Sequence, residues 1–242
     1  MNCPPCESAT WIWVGRIASI VTLVTIFIIW RDLKGLAGKV VGRFSFQTGS
    51  LGLSSRKGLI CLLSAPSAAR PDPKKEPRYL ENLINASSTL TPDLRACILG
   101  PILKAIERHA TPGAPGNGGD LRYCWLIASR DSKALFQPLR SACAKLFPGV
   151  RVPDPIEVGD VYHRIDDVYN AVRQVFLKCE KETYGLVKPA DIVTDVTGGN
   201  KIMSIGAAMA CLDGEHEIEY IEQENQRDFY FIDITRVASK KS

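Results

Sequence analysis

The sequence predicts an α/β domain built on a mainly parallel sheet with helices on both faces, preceded by a single transmembrane α-helix. Three observations carry that prediction. Strand-like and helix-like stretches alternate from Gly58 toward the C-terminus, the order of a doubly wound sheet. A β-branched run, a Gly-Gly turn and a small-residue helix follow one another without a gap between Ala190 and Leu212. Trp11–Trp30 is apolar except for one arginine and a few hydroxyl side chains. The chain therefore divides into a short extracytoplasmic tail (1–10), a transmembrane helix (11–30), a juxtamembrane helix and linker (31–57) and a cytoplasmic domain (58–242).

Composition sets the bounds. The 242 residues suffice for one substantial domain plus an appendage. A net charge of +4 is too mild to imply a duplex-binding surface, so no duplex nucleic acid is expected as a partner. Of the eight cysteines, Cys61, Cys97, Cys124, Cys143, Cys179 and Cys211 are dispersed and mostly lie in apolar runs, as reduced core residues do. Cys3-Pro-Pro-Cys6 is the one close pair, read as part of an unremarkable N-terminal tail, with a redox or crosslinking role as the alternative. With no second pair and His109, His163 and His216 far away, no metal site and no cofactor is expected.

Trp11–Trp30 would span roughly 30 Å as a helix, the hydrocarbon thickness of a bilayer, with Trp11, Trp13 and Trp30 at its two ends. No basic residue precedes it, whereas Arg31, Lys34, Lys39 and Arg43 follow, which puts the N-terminus outside and the rest in the cytoplasm. Arg16 lies about 7.5 Å inside the span. It either snorkels to the headgroups or faces a bundle interior or water-filled path. Ser19, Thr22 and Thr25 continue from Arg16 as one weakly polar stripe, suited to helix packing or to a pore wall, and a pore would need an oligomer. Leu33, Leu36, Ala37, Val40 and Val41 keep a helical period before a Gly/Ser-rich linker.

The domain opens with Gly58–Ser64, a continuous apolar run fit for a central parallel strand, and then a small polar loop, 65–70. Residues 71–77 read as a solvated Pro/Lys segment. Helices are expected over 92–108, with Leu94, Ile98, Ile102 and Ile106 on one face, over 131–146, and over 166–182 through Val168, Val172, Val175 and Phe176. Strands are expected over 121–128, 151–155, 216–222 and 228–234. The loop Ser129-Arg130-Asp131-Ser132 opens at the carboxyl end of a strand.

Ile192, Val193, Thr194 and Val196 read as a buried strand, and from Lys201 small and apolar residues at helical spacing read as a helix. Gly198 and Gly199 allow close backbone approach. The free N–H groups of the helix N-terminus, the Thr197 hydroxyl, the Asn200 amide and the Lys201 ammonium would converge beyond the strand's carboxyl end, a place that favours phosphate. The spacing matches neither the Walker loop nor Gly-x-Gly-x-x-Gly.

Asp195-Val-Thr-Gly-Gly-Asn-Lys-Ile-Met-Ser204 resembles the Asp-x-Thr-Gly-Gly-Thr-Lys-x-Met signature of CARF domains, the CRISPR-associated Rossmann-fold sensors of cyclic oligoadenylate, with Asn200 in place of the commoner threonine. The resemblance extends more loosely over Gly58–Val237. It implies a Rossmann-like fold, a cyclic oligoadenylate ligand and a ligand site formed by Ser64, Ser67, Arg130, Ser132, Thr197, Gly198, Gly199, Asn200, Lys201 and Met203. It also implies a dimer, since a symmetric ring is gripped by the same half-site of two protomers. The Arg-x4–6-His ribonuclease signature often joined to such sensors is absent around all three histidines.

Three functions remain open on sequence. The first is a membrane effector of type III CRISPR immunity that binds cyclic oligoadenylate, most readily cyclic tetra-adenylate, and gates or assembles a pore. The second is a membrane-tethered ring nuclease that degrades the same ligand. The third is a membrane-anchored nucleotide-binding adaptor.

Overall fold

The computed structural model describes residues 44–47, 56–64, 77–112, 119–159, 164–212, 216–221 and 229–236. The chain divides into two compact units, Met1–Ser45 with Arg236–Ser242, and Phe46–Thr235; the fold below is that of the second. The Trp11–Trp30 stretch and Arg16, Ser19, Thr22 and Thr25 lie outside the described residues, as does Ser67. Among the described residues no helix is long and apolar enough to cross a membrane.

The elements in chain order are β1 (Phe44–Gln47), β2 (Gly58–Leu63), α1 (Pro77–Ala86), α2 (Pro92–Ala96), α3 (Gly100–Ala110), β3 (Tyr123–Ser129), α4 (Lys133–Leu146), β4 (Ile156–Val158), α5 (Ile165–Glu182), β5 (Ile192–Asp195), α6 (Lys201–Ala210), β6 (Glu217–Ile221) and β7 (Phe229–Arg236). Short 3₁₀ turns at Arg130–Ser132 and Pro189–Asp191 introduce α4 and β5. Of the seven strands of the sheet, β7, β6, β5, β2, β3 and β4 are neighbours in that order. The five strands from β6 to β4 run parallel and β7 closes antiparallel on β6.

The sheet is Rossmann-like. Numbered among themselves, the five parallel strands follow the order 3-2-1-4-5, so the winding direction reverses between β2 and β5. β2 and β3 are buried along their whole length, which is why they read as unbroken apolar runs. Alternate residues supply the two faces. Leu59, Cys61, Leu63, Cys124, Leu126 and Val193 pack in one cluster with Leu80 and Ile84 of α1, Ile102 and Ile106 of α3, and Leu139 and Cys143 of α4. α5 and α6 pack against each other, burying Val168, Val172, Met203 and Ala207. The six described cysteines are free thiols buried in the core.

The structure revises four boundaries. The helix expected over 92–108 is two helices, α2 and α3. Thr91 caps the first, accepting from the Leu94 N–H at 3.3 Å. α2 ends at Ala96, and the chain restarts as α3 at Gly100, whose Cα lies so close to the Arg95 carbonyl that a Cβ would sit 2.0 Å from it. α1 begins at the end of the segment read as solvated, because Leu80 and Ile84, one helical turn apart, enter the core. The strand expected over 151–155 shrinks to a single bridge between Arg151 and Tyr123, and β4 follows at Ile156. The polar loop at 130–132 is wound as a 3₁₀ turn.

Candidate functional site at the switch of strand order

The winding reverses between β2 and β5, and the carboxyl ends of the strands at such a switch are the place where doubly wound sheets hold ligands. Both chains leaving it carry residues named from sequence. Ser64 follows β2, and its hydroxyl donates to the Gly198 carbonyl at 3.0 Å. The segment 196–200 follows β5 and leads into α6.

The glycines serve this closeness. A Cβ on Gly198 would lie 2.4 Å from the Leu62 carbonyl oxygen, and one on Gly199 2.6 Å from Leu62 Cδ1. Their bare faces therefore press onto β2, so their need for glycine comes from the strand. The turn holds itself from within as well. The Thr197 N–H donates to Asp195 Oδ1 at 2.8 Å, and the Thr197 hydroxyl donates to the same oxygen. That hydroxyl accepts the Ile221 N–H at 2.7 Å, linking the turn to the end of β6. Ser204 Oγ donates to the Val196 carbonyl at 2.8 Å.

α6 starts under Asn200, an extended N-cap residue whose Oδ1 accepts the Met203 N–H at 2.9 Å. The next helical bond runs from Ser204 N–H to the Asn200 carbonyl at 2.9 Å, so the N–H groups of Lys201 and Ile202 are left at the mouth of the helix. Lys201 is exposed at the first helical position and forms no salt bridge among the described residues. An ammonium and two helix N-terminal N–H groups at one spot can bind a phosphate.

The structure brings Ser64, Gly198, Gly199, Asn200 and Lys201 to one place. The Thr197 hydroxyl, expected to face a ligand, is buried and fully engaged by Asp195 and Ile221. The Met203 side chain is buried in the core, and only its backbone N–H takes part in the cap. Ser132 is buried too, its Oγ 2.7 Å from both the Leu63 and Ser129 carbonyls and accepting from Ser129 Oγ at 3.1 Å, so it ties the ends of β2 and β3 together. Arg130 is exposed on the adjoining 3₁₀ turn.

Beneath the turn lies a buried polar layer that sequence reasoning missed. Asp195 and Glu219 are register partners on β5 and β6, and both are inaccessible to solvent. Burial, then the neighbouring Glu219, push the Asp195 carboxyl up to about 8, although the two Thr197 bonds favour its ionised form. Asp195 Oδ2 and Glu219 Oε1 have no hydrogen-bond partner among the described residues. The other Glu219 oxygen lies 3.0 Å from His109 Nε2, and the Arg56 N–H approaches His109 Nδ1 at 3.5 Å. Lys104 and Arg108 of α3 are also buried, and Glu219 supports the charge of Arg108 against a burial that lowers its pKa. The signal was present in the sequence, since Asp195 closes a β-branched strand and Glu219 lies between the apolar Ile218 and Ile221 of β6. Their adjacency was not.

Among the described residues no group of three or more His, Cys, Asp and Glu side chains is arranged to hold a metal ion. A separate groove of about 340 Å³, lined by Tyr123, Arg140, Arg151, Val152, Pro153, Asp154 and Glu182, lies at the opposite edge of the sheet, where Tyr123 begins β3.

No protein-family model matches the chain, and no curated protein matches it in sequence. Among solved structures, it is similar to Can2 from Sulfobacillus thermosulfidooxidans in complex with cyclic tetra-adenylate, at 16% identity and a TM-score of 0.36, over 69% of this chain and 31% of that one. It is also similar to Enterococcus italicus Csm6 bound to cyclic hexa-2'-fluoro-hexa-dAMP, at 13% identity and a TM-score of 0.41, over 70% of this chain and 34% of that one. This chain thus spans about a third of the length of either protein.

Proposed function

We propose that this chain is a membrane effector that senses cyclic oligoadenylate. The observation that carries the reading is the convergence of Ser64 with the Gly198-Gly199 turn, Asn200 and Lys201 at the switch point between β2 and β5, the last four lying in the ten-residue stretch that resembles the CARF signature. The ligand's phosphates would lie against Lys201 and the first N–H groups of α6. Ser64 and Arg130 would line the flanks, with Ser67 in the adjoining loop. A symmetric ring calls for a second protomer, so the sensing unit would be a dimer.

The output would pass to the Trp11–Trp30 helix in the inner membrane, where Arg16 and the Ser19/Thr22/Thr25 stripe would pack helices or line a pore. A ligand moves such an equilibrium only as far as its affinities for the two states differ.

Full-length protein in lipid nanodiscs, titrated with labelled cyclic tetra-adenylate and cyclic hexa-adenylate, tests the reading. One ring is expected to bind, and Lys201→Glu is expected to weaken it at least tenfold, about 1.4 kcal/mol. Failure of both rings to bind rejects the sensor. Ligand-triggered ion flux from vesicles carrying the protein, with the ligand recovered intact, favours the pore; cleaved ligand without flux favours a tethered ring nuclease.

A further inference from the structure

The three most exposed large hydrophobic side chains among the described residues lie within ten positions of one another. Leu177 is 76% exposed, Tyr184 91% and Leu186 59%. Leu177 stands on the outer face of α5 near its end, and the other two stand on the turn that follows. Lys178, Lys181 and Lys188 are exposed among them. Of the two carboxylates in the segment, Glu182 accepts the Trp125 indole N–H at 3.2 Å, and Glu180 is solvated.

The turn is firmly built. Gly185 N–H returns to the Glu180 carbonyl at 2.8 Å and Tyr184 N–H to the Lys181 carbonyl at 3.4 Å, the two bonds of a Schellman helix end. Thr183 Oγ1 lies 2.7 Å from the Cys179 carbonyl, to which it donates, and accepts the Val187 N–H at 3.0 Å. Tyr184, at φ 52°, holds the left-handed position that glycine usually takes, and Gly185 follows at φ 81°. The backbone thus carries strain at the residue that presents the aromatic ring to solvent.

The turn is seated at the amino edge of the parallel sheet. Gly58 has no side chain, and a Cβ there would lie 2.9 Å from Val187 Cγ1 and 2.8 Å from Ile192 Cγ1. The turn bearing Tyr184 and Leu186 is thus anchored through Val187 to the start of β2. Ser64 and Gly198 lie at the other edge of the same sheet.

We propose that Leu177, Tyr184 and Leu186, with Lys178, Lys181 and Lys188, form a docking surface for an anionic lipid bilayer. A phenol ring and two leucines suit the interfacial layer, where aromatic rings keep an apolar body and a wet tip, and lysines beside them reach headgroup phosphates. The chain itself supplies the proximity. Twenty-five residues separate Trp30 from Arg56, at most about 85 Å when extended. A domain tethered at that reach meets the membrane at high effective concentration, so a weak surface suffices. Docking at this edge turns the carboxyl ends of β2 and β5 away from the bilayer. The proposal rests on the membrane-anchored half of the function above and is independent of the ligand.

The test uses full-length protein carrying Cys3→Ser and Cys6→Ser, with a nitroxide on Tyr184→Cys or, as control, on the exposed Asp131→Cys at the opposite sheet edge. The proteins are placed in nanodiscs of phosphatidylcholine alone or with phosphatidylglycerol. Collision with oxygen relative to a water-soluble nickel chelate is expected to rise several-fold at position 184 in the anionic discs, less in the neutral ones, and not at 131. A water-like ratio at 184 in anionic discs, from protein that has entered them, overturns the docking surface and leaves the anchor standing. Protein that stays outside the discs overturns both. Spin–spin broadening at 184 without lipid contact shows that a second protein copy covers the patch, and also overturns the proposal.

Discussion

The Ser64 hydroxyl donates to the carbonyl of Gly198 at 3.0 Å, joining the ends of the two strands between which the sheet reverses its winding. The bond is half-buried, and an ordinary hydrogen bond of this kind is worth about 1 kcal/mol. Ser64→Ala is expected to lower unfolding stability by about that amount in urea titrations. Faster hydrogen exchange should appear in the 196–200 turn, with the remaining core unchanged.

Gly198 should tolerate substitution far less. A Cβ there meets the Leu62 carbonyl, which is backbone and belongs to a central strand, so the turn must lift from β2. Gly198→Ala is expected to cost about 1–3 kcal/mol and, on the function proposed above, to weaken cyclic oligoadenylate binding. Gly199→Ala meets only the Leu62 side chain and should cost less. Urea melts of the two variants, compared side by side, check the order.

The buried Asp195 gives stability a pH dependence of unusual sign for a carboxyl group. Its pKa is about 8 in the folded chain against an ordinary value of 3.8, so the folded state holds a proton that the unfolded state has released. This contribution is fully present below about pH 4 and is lost as pH rises toward 8. Asp195→Asn keeps a neutral acceptor for Thr197 and removes the titration. Thermal melts between pH 5 and 8 should slope downward in the native protein and flatten in the variant.

Tyr184 offers a substitution that stabilises. The left-handed backbone at φ 52° costs an L-residue with a side chain roughly 1–2 kcal/mol, and glycine escapes that penalty. The greater freedom of glycine in the unfolded chain offsets part of the gain. Tyr184→Gly is therefore expected to raise unfolding stability by up to about 1 kcal/mol in chemical denaturation, while removing the most exposed aromatic ring of the lipid-facing patch.

Much of the domain was legible in the sequence because period and local chemistry are local properties. The unbroken apolar run at Gly58–Leu63 marked a strand covered on both faces. The step from β-branched residues through Gly198-Gly199 to a small-residue helix placed β5, its turn and the start of α6 at Lys201, whereas Asn200, read as a ligand-facing amide, turns its Oδ1 back to cap that helix. What misled was equally local. Thr197 and Met203 looked available because sequence cannot tell whether a side chain turns outward or back into its own turn. The helix over 92–108 looked continuous because its apolar period survives the break.

By itself, the sequence determined most of the parallel strands and the helices over 131–146, 166–182 and from Lys201, that the strand–glycine–helix unit carries a lysine at its helix start, and that a bilayer-length apolar stretch precedes the domain. Only the tertiary structure decided that β2 lies between β3 and β5. That pairing sets the switch point, brings Ser64 to Gly198 across 134 positions of chain and sets Asp195 beside Glu219. The reason is physical. Period reports which face of an element is apolar, but strand order is chosen by the joint packing of every element, and long-range adjacency exists only once that packing is complete.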